Sequence, residues 1–165
     1  MKTATLDKLD GAALSAWRNY IQTHASILRA LDAQLLADHD VTARDYEVML
    51  YLTQAEDGRL PMSALAESTM LTRSGITRLV DGLVERGLVE RVSCRNDARV
   101  SYATLTAAGT AKFREAGCTH IASIQRLFLE RFSTDEIEVL AELLGRLPGA
   151  CRGADCGDPV GCPDE

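Results

Sequence analysis

Between Met62 and Thr106 the spacing of apolar residues switches from a helical period to strict alternation, and this switch limits what the chain can fold into. Pro61 opens a short helix from Met62 to about Thr69, where a missing N–H costs nothing. Leu65 and Ala66 are expected to face inward, Thr69-Met70-Leu71 to form a turn, and Leu71 to plug the gap between two helices. Thr72 is the expected N-cap of the second helix, because its hydroxyl can accept from a free N–H of the first turn. Gly75 sits three residues on, where Glu or Gln would complete a capping box, so none is expected. Ile76, Leu79, Val80, Leu83 and Val84 then recur at helical spacing, and Gly87 suits a left-handed stop. Beyond it, Leu88 to Ser93 and Val100 to Leu105 alternate as two strands, with Leu60 as a brief third strand. The polar run Arg95-Asn96-Asp97-Ala98-Arg99 joins the two.

A helix, a sharp turn, a capped helix and a ribbon with a basic tip make the layout of a winged helix-turn-helix. This points to double-stranded DNA as a partner. The face of the second helix opposite its apolar stripe carries Arg73, Ser74, Thr77, Arg78 and Asp81. Arginine can pair bidentately with guanine, while serine and threonine can serve bases or phosphates. A ribbon tipped with arginines can reach the minor groove or its flanking phosphates. Candidate contacts on the second helix are Thr72, Arg73, Ser74, Gly75, Thr77 and Arg78. Ser63 is the candidate from the preceding helix, and Arg95, Asp97 and Arg99 those from the wing.

A net charge of −6 opposes this reading when taken whole, but its distribution does not. Residues 59–114 hold nine Lys or Arg against five Asp or Glu, a local +4, while the remainder carries −10. Exposed charges are screened over roughly 8–10 Å in physiological salt, so the charge nearest the phosphates decides affinity. An acidic body behind a basic reading surface should limit non-specific binding.

From about Val41 to Leu147 the sequence resembles the MarR family (multiple antibiotic resistance regulator) of bacterial transcriptional regulators. The stretches that carry the resemblance are LTRSGITRLVDGLVERGLVER, NDAR and the LTAAG of Leu105 to Gly109. It implies that Ser74, Gly75, Thr77 and Arg78 lie on a recognition helix in the major groove. It also implies that Asp97 orients Arg99 toward the minor groove. Two positions depart from the family pattern: Ala98, where many members carry a charge, and Gly82, where many carry a long side chain.

The expected fold is mainly α (α+β), with a winged helix-turn-helix lobe between helices that form a homodimerisation region. A long helix from about Ala12 to Leu36 places Leu14, Trp17, Ile21, His24, Leu28, Leu31 and Leu35 on a heptad-like seam. Thr42 is the expected N-cap of the next helix, which Glu56-Asp57-Gly58 ends. Another long helix should run from Thr106–Gly109 to about Arg131, and Ser133 with Glu136 forms a capping box for the last. The expected boundaries are 1–40 for the N-terminal dimerisation helix, 41–106 for the DNA-binding domain and 107–148 for the C-terminal dimerisation helices. The Gly-, Pro- and Asp-rich tail, 149–165, is expected to be disordered. Two copies with two-fold symmetry would need inverted half-sites about 10 bp apart, or a multiple of this.

The resemblance implies a repressor of a pseudo-palindromic operator, released by a small, often anionic aromatic, effector. Trp17, Tyr20, His24, Arg29 and Tyr46 are the candidate lining of an effector pocket. In the alternative, a redox- or metal-responsive regulator, Cys94 or the tail cysteines Cys151, Cys156 and Cys162 do the sensing. Against it, the first helix lacks the cysteine of the family's peroxide-sensing branch, and the tail spacing fits no CxxC zinc pattern. Cys118 is expected to pack, and all thiols to be free in a reducing, cytoplasmic setting. No cofactor and no bound metal are expected. No apolar run is long enough to span a bilayer, and no leader-like apolar segment follows the N-terminus. Enzymatic function is not expected: no nucleophile–base arrangement, phosphate-binding glycine loop or HExxH stands out.

Overall fold

Helix caps partition the chain as the residues dictate. The structure is a computed structural model that describes residues 11–93 and 100–150. Helix α1 runs Gly11–His39, α2 Ala43–Gln54, α3 Met62–Ser68, α4 Arg73–Glu85, α5 Ala107–Leu127 and α6 Thr134–Leu144. Strands are β1 Arg59–Pro61, β2 Val89–Ser93 and β3 Ser101–Leu105. Thr42 caps α2 as expected, and Asp45 completes a capping box with it. Ser133 and Glu136 form the expected box at α6.

The sheet order is β1-β3-β2, antiparallel throughout, with Ala103 of β3 opposite both Leu60 and Arg91. The brief third strand at Leu60 is therefore present. One core lies beneath the helix-turn-helix, where Val48, Leu52, Leu65, Ile76, Val80, Leu83, Val89 and Ala103 meet. The other joins α1, α2 and α5 through Leu35, Val41, Tyr46, Met49, Phe113 and Ala116. Each large aliphatic or aromatic side chain buried there contributes about 1.5–3 kcal/mol.

Two expectations require correction. The long helix expected to reach Arg131 ends at Leu127. Phe128 leaves helical geometry (φ −127°, ψ −63°), and a 3-10 turn follows over Leu129–Arg131. Phe128 and Phe132 meet edge to face at 5.5 Å, so the apolar period continues across the break and conceals it. The free thiol expected at Cys118 is instead disulfide-bonded; its partner lies outside the described residues. Bonding needs two Cα atoms within about 7 Å, a tertiary proximity that cysteine spacing does not reveal.

Among the described residues the heptad-like seam of α1 is buried only at its end, at Leu31 and Leu35. Trp17, Ile21 and Leu28 are all more than two-fifths exposed. No residue of α6 is buried, and Val139, Leu143 and Leu147 face outward. Cys94, Ala98, the wing residues Arg95, Asp97 and Arg99, and the tail from Cys151 onward lie outside the described residues.

Candidate nucleic-acid interface

Helix α4 buries one face and offers the other. Thr72 is extended (φ −67°, ψ 158°), and its hydroxyl accepts from the Gly75 N–H at 3.1 Å. A Cβ on Gly75 would lie 3.2 Å from that hydroxyl, so a small residue keeps the cap undisturbed. Ile76, Val80 and Leu83 are buried, while Arg73, Ser74, Thr77 and Arg78 are exposed together on the opposite side. The Thr77 hydroxyl donates to the Arg73 carbonyl at 2.7 Å, which leaves its methyl and lone pairs outward. Among the described residues no hydrogen bond or ion pair engages the side chain of Arg73 or Arg78. Neither guanidinium group has a partner among the described residues, and Arg73, in the first turn, stands beside the positive end of the helix dipole, an arrangement that favours anions such as phosphate. Ser63 is exposed in the first turn of α3.

The turn before α4 is held tightly. Thr69 is fully buried, and its hydroxyl donates to Leu65 O at 2.7 Å. Met70 adopts φ +53° and is 89% exposed, and the Leu71 N–H reaches Ala66 O at 3.0 Å.

The far end of α4 closes in a Schellman arrangement. The Gly87 N–H donates to Val84 O and the Leu88 N–H to Leu83 O, each at 2.9 Å, with Gly87 at φ +70°. The start of α5 grips this turn. Thr106 donates from its hydroxyl to Gly87 O at 2.7 Å and from its N–H to Leu88 O at 3.1 Å. The same hydroxyl caps α5 by accepting from Gly109 N–H at 3.0 Å. The LTAAG segment thus locks the recognition helix to the long helix behind it.

Asp81 faces outward as its position on α4 requires, but Arg91 of β2 holds it at 2.9 Å. Arg91 also donates to Thr77 O at 3.3 Å, tying the wing strand to the recognition helix. Sequence reasoning placed Arg91 within the alternating strand Leu88 to Ser93 and assigned it no partner. Nor did it identify Arg86, which pairs with Asp45 of α2 at 3.1 Å. A cation one residue before the stop glycine, and an acid three residues after a threonine cap, were the available signals.

The five residues expected to line an effector pocket fall into two places. Trp17, Tyr20 and His24 form an exposed ring ladder on α1, with centroids 6.3 and 6.2 Å apart, and Arg29 is exposed further along it. Tyr46 is buried on α2 instead, with its ring 4.9 Å from Phe113 and 4.6 Å from His120. Burial pushes the Tyr46 phenol up and the His120 imidazole down from their ordinary values. His120 Nδ1 is buried with no hydrogen-bond partner among the described residues. A cleft between α1 and α5, lined by Gln22, Thr23, Ser26, Ile27, Ala30 and Leu127, includes none of the five. Among the described residues no group of three or more His, Cys, Asp or Glu side chains is placed to hold a metal ion.

Residues 39–100 match the model of the MarR family. Over 102 residues the chain is 30% identical to the HTH-type transcriptional repressor YetL of Bacillus subtilis (strain 168), covering 62% of this chain. It spans 60% of that repressor's length. AbsC, a MarR family transcriptional regulator from Streptomyces coelicolor, superposes with a TM-score of 0.77 at 28% identity, covering 83% of this chain and 92% of AbsC. Sco3205, a MarR family transcriptional regulator from the same organism solved in complex with DNA, gives 0.79 at 26% identity. That comparison covers 86% of this chain and 88% of Sco3205. In residues 39–100 and in its fold the chain is thus similar to the MarR family, whose members are transcription regulators.

Proposed function

We propose that the protein is a homodimeric DNA-binding regulator that represses from a pseudo-palindromic operator and is released by a small, anionic aromatic effector. The exposed row of Arg73, Ser74, Thr77 and Arg78, with neither guanidinium group partnered among the described residues, carries the DNA-binding part of this reading. The DNA complex of the similar Sco3205 supports it. Dimerisation is supported by the apolar faces of α1 and α6 that the described residues leave uncovered. Each head alone would bind weakly, and linking two raises the effective concentration at the second half-site. The aromatic ladder Trp17–Tyr20–His24 and Arg29 suit an anionic ring, by stacking and charge, once a second copy lies against α1. In the described helices no segment is long and apolar enough to cross a membrane, which is consistent with action in the cytoplasm.

The alternative, sensing of metal or oxidant through Cys94 or the tail cysteines, draws no support from the comparisons, and those cysteines lie outside the described residues. Selection of duplexes from a random pool, followed by footprinting, tests the reading. Inverted half-sites about one helical turn apart are expected. Failure to enrich any duplex at low salt, or a monomer in sedimentation at micromolar concentration, would overturn it.

A further inference from the structure

Arg86 lies at the end of α4 away from the exposed reading face, yet its side chain is the most extensively tied cation among the described residues. Its Nη1 donates to Asp45 Oδ2 at 3.1 Å, and its Nη2 donates to the Asp40 carbonyl and lies 4.0 Å from the Asp40 carboxylate. Asp45 is 6% exposed, and the same Oδ2 also accepts from the Thr42 N–H at 3.0 Å. Asp40 is the left-handed residue (φ +54°) of the α1–α2 corner. That corner is itself fixed to α1: Asp32 Oδ1 accepts from the Ala43 N–H at 2.8 Å, and Val41 is fully buried. One guanidinium thus joins the stop of the recognition helix to the capping box of α2 and to the end of α1.

We propose that Arg86 is a positioning residue for operator binding, setting the angle between the recognition helix and α1 and hence the separation of the two reading heads. The inference rests on the dimeric, DNA-binding reading above. Helix α1 bears the uncovered apolar seam, so any rotation of α4 against it changes where the second head falls on the duplex. Avidity from linked heads persists only while both can engage at once. Arginine is specific for this task. Its planar fork serves acceptors on two elements, whereas the point charge of lysine cannot reproduce that geometry. The Asp45 carboxylate, sequestered from water, would be left without its cation if Arg86 were removed.

The experiment uses the full chain and the operator it selects. Binding is measured for the wild type, Arg86→Ala, Arg86→Lys and Asp45→Asn. The probes are that operator, the same operator with one or two base pairs inserted or deleted between half-sites, and a single half-site. All are measured well below the melting temperature of each variant. For Arg86→Ala we expect roughly a tenfold loss on the native spacing, the scale of one charged hydrogen bond, and a flattened dependence on spacing. Single-half-site affinity should stay close to wild type, and Arg86→Lys should not restore the sharp spacing preference. An unaltered spacing profile in Arg86→Lys and Asp45→Asn, both of which keep a polar side chain at the site, would overturn the proposal. So would equal losses on every probe. If the wild type itself binds no duplex, the DNA-binding reading fails instead.

Discussion

A Cβ built on Gly109 would lie 1.9 Å from the carbonyl oxygen of Leu88, so the first turn of α5 rests directly on the backbone that ends the recognition helix. The obstacle is main chain, already accepting from the Thr106 N–H, and it cannot turn aside as a flexible side chain would. Gly109→Ala is therefore expected to destabilise the fold by about 1–3 kcal/mol or more, the range for overpacking a tight site. Urea unfolding monitored by circular dichroism measures it; a midpoint within error of wild type would refute the close approach.

Met70 holds φ +53° in the turn before α4 and has almost no packing to lose. A left-handed backbone costs a residue with a side chain roughly 1–2 kcal/mol, and glycine returns part of that as unfolded-state entropy, about 0.5–1 kcal/mol. Met70→Gly should stabilise the protein by a few tenths to 1 kcal/mol. A fall in melting temperature would show that the methionine makes a contact this account omits.

Gly82 is inside α4, and nothing lies within 4 Å of a Cβ added there. Gly82→Ala should raise stability by about 0.5–1 kcal/mol, the helix-interior difference between the two residues. Operator preference should be unchanged, because Ala adds no donor or charge. Thermal melting and a repeat of the duplex selection check both halves of the expectation.

Arg78 is exposed on α4 with no partner among the described residues. If it reads a base, Arg78→Ala should weaken specific binding by about 1–3 kcal/mol and relax preference at one position. Gel-shift titration on single-base operator variants separates the cases. A uniform loss on all sequences, with a shallower salt slope, would assign the residue to a phosphate.

His120 is buried beside Tyr46, and burial lowers its pKa from 6.5. With the folded value below the unfolded one, the unfolded chain binds the proton more readily as pH falls. Stability from this group is thus complete above about pH 6.5 and declines below it, down through the lowered folded value. His120→Phe should flatten stability between pH 7 and 5. Parallel pH profiles for the two proteins would exclude His120 as the source.

Local chemistry wrote much of this molecule into its sequence. Thr72 capping, the Gly87 stop, the alternation of β2 and β3 and the Ser133–Glu136 box depend on residues at most a few positions apart, and periodicity reports them. The exposed arginines of α4 were legible for the same reason, since a buried stripe fixes the face opposite. Periodicity missed the break at Phe128, because an apolar pattern passes unchanged through a 3-10 turn. Pairings between elements were also beyond it. Arg91 with Asp81, Arg86 with Asp45 and Tyr46 with His120 join residues whose separation along the chain carries no signal. The sequence alone determined which segments are helix or strand and which face of α4 is free, because hydrogen bonding and amphipathic spacing act locally. Only the tertiary structure decided how that helix is held against α1, α2 and α5, because packing and ion pairing depend on distances that folding sets.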